Sequence, residues 1–140
     1  PKEARKKGSE IRKAFVSSIE GLSELLGAVA AKSANGFLLA CDGRRVLVDS
    51  PHKALNYLLQ CSAGIVAKRW MVIAHDAMIS YHTHQLAFVH DELQYETHPD
   101  DADDLINTLE DSAILAGECY KLRCPIAAEA KKGKTWADVH

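Results

Sequence analysis

Residues 85–97 read Gln85-Leu86-Ala87-Phe88-Val89-His90-Asp91-Glu92-Leu93-Gln94-Tyr95-Glu96-Thr97. Two strand-like runs, 85–89 and 93–97, flank His90-Asp91-Glu92, which predicts an antiparallel hairpin with a tight turn. Both strands carry apolar residues on both faces, the pattern of a hairpin buried inside a fold. Two adjacent carboxylates at the end of a buried hairpin are unfavourable unless a cation or hydrogen-bond donors compensate them. Mg²⁺ meets that need: it binds through one or two carboxylates and keeps water and phosphate oxygens as its other ligands. Such a site, with two metals, suits phosphoryl transfer. The plainer alternative is an exposed polar hairpin tip, since Asp-Glu is common at turns.

Upstream, residues 52–82 predict a long helix, with Leu55, Leu58, Leu59, Val66, Trp70, Ile73, Ala77 and Tyr81 at helical spacing. Ser50-Pro51 opens it, a cap residue followed by Pro at the first helical position. Gly64 weakens its middle by up to about 1 kcal/mol relative to Ala, so close packing or a bend is expected there. On this helix His52, Asn56 and Gln60 stand at i, i+4 and i+8. They fall within an arc of about 80° and span about 12 Å. Such a polar stripe could read the minor-groove edge of a duplex, where every base pair offers acceptors. A solvated helix face is the other reading.

The remaining elements set the fold class. Residues 9–31 predict a first helix, with Ile11, Phe15, Ile19, Leu22, Leu25, Leu26 and Val29 in phase; Asn35-Gly36 ends it. Apolar runs at 37–40 and 46–48 flank Asp42-Gly43, a hairpin signal. A third helix is expected over 100–117 and a last short strand over 124–130. A turn is expected at 131–134, with Trp136 anchoring the end. Neither repeats nor an internal linker interrupt the chain. Helices and hairpins without βαβ alternation predict α+β with an antiparallel sheet packed on long helices, as a single unit over 1–140.

Composition is that of an ordinary folded domain: 140 residues, 47% hydrophobic, 26% charged, formal net charge −2. It excludes disorder and low complexity. The near-neutral total hides two poles. Residues 1–13 carry six bases (Lys2, Arg5, Lys6, Lys7, Arg12, Lys13) against Glu3 and Glu10, a start that could touch phosphate or simply be solvated. Residues 91–111 carry nine acids and no Lys or Arg. Most of those acids, such as Asp100, Asp101, Asp103 and Asp104, suit a helix start; Asp91 and Glu92 do not have that explanation.

No apolar run reaches the 18 or so residues of a membrane span; residues 1–7 have no apolar stretch behind them and are not expected to be a signal peptide, and the sequence does not begin with Met, as trimming or a cut from a longer chain would explain. Cys41, Cys61, Cys119 and Cys124 have no CxxC spacing and are expected as reduced, mostly buried thiols of a cytosolic protein. His82 and His84, with His75 and Asp76, lack a further ligand for zinc. Cys61-Ser62 lies inside a helix rather than on a nucleophile elbow, and there is no Gly-rich phosphate loop.

Val89-His90-Asp91-Glu92-Leu93 resembles motif C of family-A DNA polymerases, the DNA polymerase I type. Gly43-Arg44-Arg45, Ser50-Pro51-His52, Ala54-Leu55-Asn56, Leu58-Leu59-Gln60 and Ser62-Ala63-Gly64 follow in that family's order and spacing. The ending Trp136-Ala137-Asp138-Val139-His140 is similar to that of the family's short phage replicative members. The resemblance implies a palm-type fold and specific roles. Asp91 would be the metal ligand of motif C, and Glu92 a neighbouring carboxylate supporting the metal site. His90 would contact the primer terminus through sugar or phosphate. Asn56 and Gln60 would hydrogen-bond the minor groove of the primer–template, with His52 near the DNA on the same face.

The chain departs from a complete polymerase of this kind. A motif A aspartate and the motif B helix with its Arg, Lys and aromatic residue are not found; Asp42, Asp49 and Asp76 lack the motif A context. The first helix looks like the segment just after motif B. The expectation is therefore a C-terminal palm portion with half of a two-Mg²⁺ site, completed by a carboxylate outside this chain. Its partners would be primer–template DNA, dNTP and an upstream polymerase fragment or chain, with no membrane. Alone, it would expose apolar surface and self-associate. The expected setting is the cytoplasm of a bacterium or phage-infected host, associated with DNA. A non-catalytic DNA-binding or assembly module that kept the palm fold is the alternative. An unrelated α+β domain would need both the hairpin and the ordered helix motif to be coincidence.

Overall fold

The computed structural model describes residues 2–139. The chain divides between Cys61 and Ser62 into two compact units, each with its own small core. The class is α+β, with antiparallel pairing in two separate two-stranded sheets. Among the described residues no single helix is long and apolar enough to cross a membrane.

In the first unit the expected single helix is two: α1 (Lys2–Ser18) and α2 (Leu22–Ser33), set at 105°. The apolar spacing continues across the break, which is why periodicity alone misses it. The cause is local. The hydroxyls of Ser17 and Ser18 donate to the carbonyls of Ala14 and Phe15 at 3.0 and 2.8 Å, competing with backbone donors for the last turn. Gly21 then takes φ 78°, a left-handed conformation that favours glycine. Helix α1 buries none of its residues, and Ile11 and Phe15 are 62% and 60% exposed.

After Gly36 the hairpin forms as expected: β1 (Phe37–Leu39) pairs with β2 (Arg45–Leu47), Leu38 opposite Val46. The Asp42 carboxylate accepts from the backbone N–H of Arg44 at 3.1 Å and from its guanidinium at 2.7 Å. Partial burial pushes the Asp42 pKa up, but those Arg44 contacts outweigh it and hold the carboxyl below its usual range. A 3₁₀ turn, Pro51–Lys53, leads into α3 (Ala54–Ala77). Ser50 occupies the expected cap position, though its side chain makes no capping bond. Val29, Leu38 and Ala54 form the core, with Val48, Leu55 and Leu58 against it.

The second unit takes the rest of α3, then β3 (Thr83–Val89), β4 (Glu92–Thr97), a 3₁₀ turn (Pro99–Asp101) and α4 (Ala102–Cys119). Helix α3 stops at Ala77, short of the expected His82. Residues 78–82 turn the chain into a strand that starts at Thr83, where the Thr83 and Thr97 hydroxyls bond at 2.7 Å. Ala74, Met78, Leu105 and Leu109 form the core, with Tyr81, Leu93 and Tyr95 packed on it. The Trp70 indole N–H donates to the Leu109 carbonyl at 2.8 Å, which lets a large ring pack on α4 without stranding its polar atom.

Beyond α4 two expectations fail. Residues 124–130 are not a strand: Pro125 has no N–H to give a ladder, and the Ala130 N–H goes to the Glu110 carboxylate at 3.1 Å. Trp136 is 56% exposed and does not anchor the end by burial. The anchor is polar: Lys132 pairs with Asp103, and Thr135 and Asp138 form a capping box around the 3₁₀ turn Trp136–Asp138. The Thr135 N–H and hydroxyl hold the Asp138 carboxyl below its usual range. The four cysteines are thiols outside any disulfide, and none is buried: Cys41 and Cys61 are half-buried, Cys119 and Cys124 exposed.

Two glycines give opposite predictions. A Cβ at Gly117 would sit 2.7 Å from Cγ1 of Ile126, so Gly117→Ala overpacks by about 1–3 kcal/mol and regains about 1 in helix propensity. A net loss of about 1 kcal/mol is expected in urea unfolding, recovered when Ile126→Ala is added. Gly64, where close packing or a bend was expected, has nothing within 4 Å of that position and lies in continuous helix. There Gly64→Ala should stabilise by about 1 kcal/mol.

Candidate functional site

Only two residues, His90 and Asp91, link β3 to β4, because Val89 pairs directly with Glu92. A two-residue reversal that matches strand twist requires positive φ at its first position, where glycine is usual. Here that residue is His90, at φ 57°. Left-handed backbone at a non-glycine residue is strained by about 1–2 kcal/mol, and such strain concentrates at functional positions. One turn further back β3 carries a bulge at Leu86, between Gln85 and Ala87. Bulges of this kind re-aim the side chains that follow.

Val89, His90, Asp91 and Glu92 are all exposed. The expected burial of the hairpin end is therefore not found in this chain. Sequence adjacency and the tight turn hold Asp91 and Glu92 together. Among the described residues no group of three or more His, Cys, Asp or Glu side chains is arranged to hold a metal. The two carboxylates still fit Mg²⁺ by donor chemistry, because that ion commonly takes one or two protein carboxylates and fills its shell with water and phosphate.

His52, Asn56 and Gln60 lie in the first unit. His52 sits in the 3₁₀ turn and the two amides on the first turns of α3; all three are exposed. The opposite side of the same helix places Ala54, Leu55 and Leu58 in or against the core. The Tyr57 hydroxyl donates to Asp49 at 2.9 Å, and Lys53 lies 3.9 Å from the same carboxylate. These contacts fix the start of the helix, so the stripe is presented on a held surface. Leu59, 58% exposed, shares that surface and gives the polar stripe an apolar neighbour.

The histidines near the end of α3 do not gather. His75 and His84 line a cavity of about 250 Å³ with Met78, Tyr81, Gln85 and Tyr95, whereas Nδ1 of His82 lies 3.8 Å from the Asp101 carboxylate. Burial pushes the Tyr95 phenol up, and its hydroxyl donates to Gln85 Oε1 at 3.3 Å. Sequence spacing missed this cavity because the expected helix ran through the turn that creates it.

The family model for DNA polymerase family A matches residues 40–138. The chain belongs to DNA polymerase family A. All six residues picked out above, His52, Asn56, Gln60, His90, Asp91 and Glu92, fall inside the matched span. The DNA-directed DNA polymerase of Escherichia phage T7 is 28% identical over 160 residues, covering 97% of this chain and 23% of the relative. That of Escherichia phage Phieco32 is 28% identical over 142 residues, covering 95% and 23%. The chain thus spans about a quarter of the length of these family-A relatives. Among solved structures, the polymerase domain of Pol1 from M. smegmatis, in complex with DNA primer-template and dNTP, has a similar fold. Its TM-score is 0.72 at 21% identity, covering 79% of this chain and 22% of that one.

The strained turn can be tested directly. His90→Gly removes a left-handed penalty of about 1–2 kcal/mol and adds about 0.4–1 kcal/mol of unfolded-state freedom. A net gain of about 0.5–1 kcal/mol is expected from the denaturant midpoint. A loss of stability would mean that the His90 side chain, not its backbone, holds the tip.

Proposed function

We propose that this chain is the C-terminal palm portion of a DNA-directed DNA polymerase, active in template-directed nucleotidyl transfer once the rest of the polymerase is supplied. The observation that supports it most is the pairing of family membership over residues 40–138 with a two-residue hairpin tip presenting His90, Asp91 and Glu92. The relatives are named DNA-directed DNA polymerases, and the Pol1 domain was solved with primer-template and dNTP. Those partners are carried over here as part of the proposal.

In this proposal Asp91 and Glu92 hold Mg²⁺ at the growing end of the primer, with a further carboxylate from outside the chain. The chemistry that Mg²⁺ would supply there is a lowered pKa for the primer 3′-hydroxyl and compensation of the charge on the leaving pyrophosphate. The chain's own residues position. His90 contacts the primer terminus through sugar or phosphate, and its constrained backbone sets the direction of the acid pair that follows. Asn56 and Gln60 donate to the minor-groove acceptors that all base pairs share, with His52 beside them. They test duplex shape rather than sequence. The free edges of the β3–β4 ribbon accept further palm strands, since open strand edges invite pairing.

Primer extension tests this. The isolated chain should give no incorporation, and adding the upstream part of the polymerase should restore it. In the restored complex Asp91→Ala should lower the rate by about 100-fold or more while primer–template binding stays within about threefold. Asn56→Ala and Gln60→Ala should each weaken that binding roughly fivefold, the worth of one net hydrogen bond. Robust extension by the isolated chain would refute the half-site. Unchanged extension by Asp91→Ala would favour a non-catalytic DNA-binding module.

A further inference from the structure

Helix α1 is the largest feature that the polymerase reading leaves unused. It lies outside the span matched by the family model, buries no residue, and carries six bases against two acids. Five of the bases, Lys2, Arg5, Lys6, Arg12 and Lys13, share an arc of about 120° and extend over about 16 Å of the helix. Glu3 and Glu10 fall outside that arc. Ile11 and Phe15 centre about 140° away from it; α2 approaches the basic side only near Val16, which is half-buried, and Arg5, Lys6, Arg12 and Lys13 are exposed. Among the described residues none of the six bases enters an ion pair.

The basic face also has a shaped element. Ser9, Arg12 and Lys13 line a cavity of about 250 Å³ with Val16 and with Leu26 of α2. A hydroxyl, a guanidinium and an ammonium around one cavity are the donors that phosphate oxygens accept from.

We propose that the Arg5, Lys6, Arg12 and Lys13 face of α1 is a second nucleic-acid contact, gripping the phosphate backbone of the bound DNA by charge without reading its sequence. The proposal rests on the DNA-binding reading above and adds a surface that the reading does not need. A basic amphipathic helix also suits anionic lipid; the family to which the chain belongs favours nucleic acid.

The test is fluorescence-anisotropy titration of a labelled primer–template with the full 140-residue chain, between about 50 and 200 mM salt. Each phosphate contact contributes about 0.9 to the slope of log affinity against log salt. The variant Arg5→Gln/Lys6→Gln/Arg12→Gln/Lys13→Gln should flatten that slope by up to about 3.6, with helicity by circular dichroism unchanged. The control Lys68→Gln/Lys121→Gln/Arg123→Gln/Lys131→Gln, with the same loss of charge in the second unit, should leave the slope as it was. Asn56→Ala/Gln60→Ala should lower affinity at an unaltered slope. If the parent chain binds and the α1 variant changes the slope by less than about one, or no more than the control does, this proposal falls and the polymerase reading stands. A parent chain that binds phosphatidylserine vesicles but no DNA overturns both.

Discussion

The geometry of the proposed active centre hangs on one backbone constraint: β3 must become β4 within two residues. The pairing of Val89 with Glu92 leaves no slack. His90 therefore enters the left-handed region, and Asp91 and Glu92 follow in a fixed direction. A longer loop would relieve the strain and let the carboxylates wander. Effective metal and primer contacts need side chains held to a fraction of an ångström, and a tight turn on a ribbon packed through Leu93 and Tyr95 supplies that rigidity at the cost of local strain.

The parts of this fold that were legible in sequence are those decided by neighbours in the chain. Asp42-Gly43 and His90-Asp91 mark their hairpins because turn geometry is a property of a few consecutive residues. Ser50-Pro51 marks a helix start for the same reason. Errors arise where a local signal was present but outweighed by periodicity, or where the decision is made at a distance. Ser17, Ser18 and Gly21 break a helix whose apolar phase runs on undisturbed. The 124–130 segment has strand-like composition, yet among the described residues it pairs with no strand. Its N–H at Ala130 is claimed by Glu110, twenty residues earlier.

The candidate site was legible through family pattern more than through chemistry. The argument from buried carboxylates does not survive, since the hairpin tip is exposed; adjacency and turn geometry replace it. Asn56 and Gln60 stand one turn apart on α3, His52 lies in the 3₁₀ turn before it, and all three are exposed while Ala54, Leu55 and Leu58 lie in or against the core. The His75–His84 cavity was invisible because a helix predicted five residues too long put those side chains on the wrong scaffold.

The two DNA contacts assigned to the first unit divide the work physically. In the proposal, amide donors on the α3 stripe would act over a single hydrogen-bond length, so they would respond to the shape of one stretch of minor groove and hardly to salt. The proposed α1 contact would act through counterion release, adding affinity that any duplex receives and that salt removes. An enzyme that copies every sequence needs both: a grip indifferent to bases, and a check on pair geometry that is also indifferent to which bases make the pair. Neither purpose would be served by the bidentate side-chain pairs with which sequence-specific proteins read the major groove. Uncharged amides on one helix and cations outside any ion pair on another would meet the two requirements separately, so substitution in one set is expected to alter affinity without altering what the other set senses.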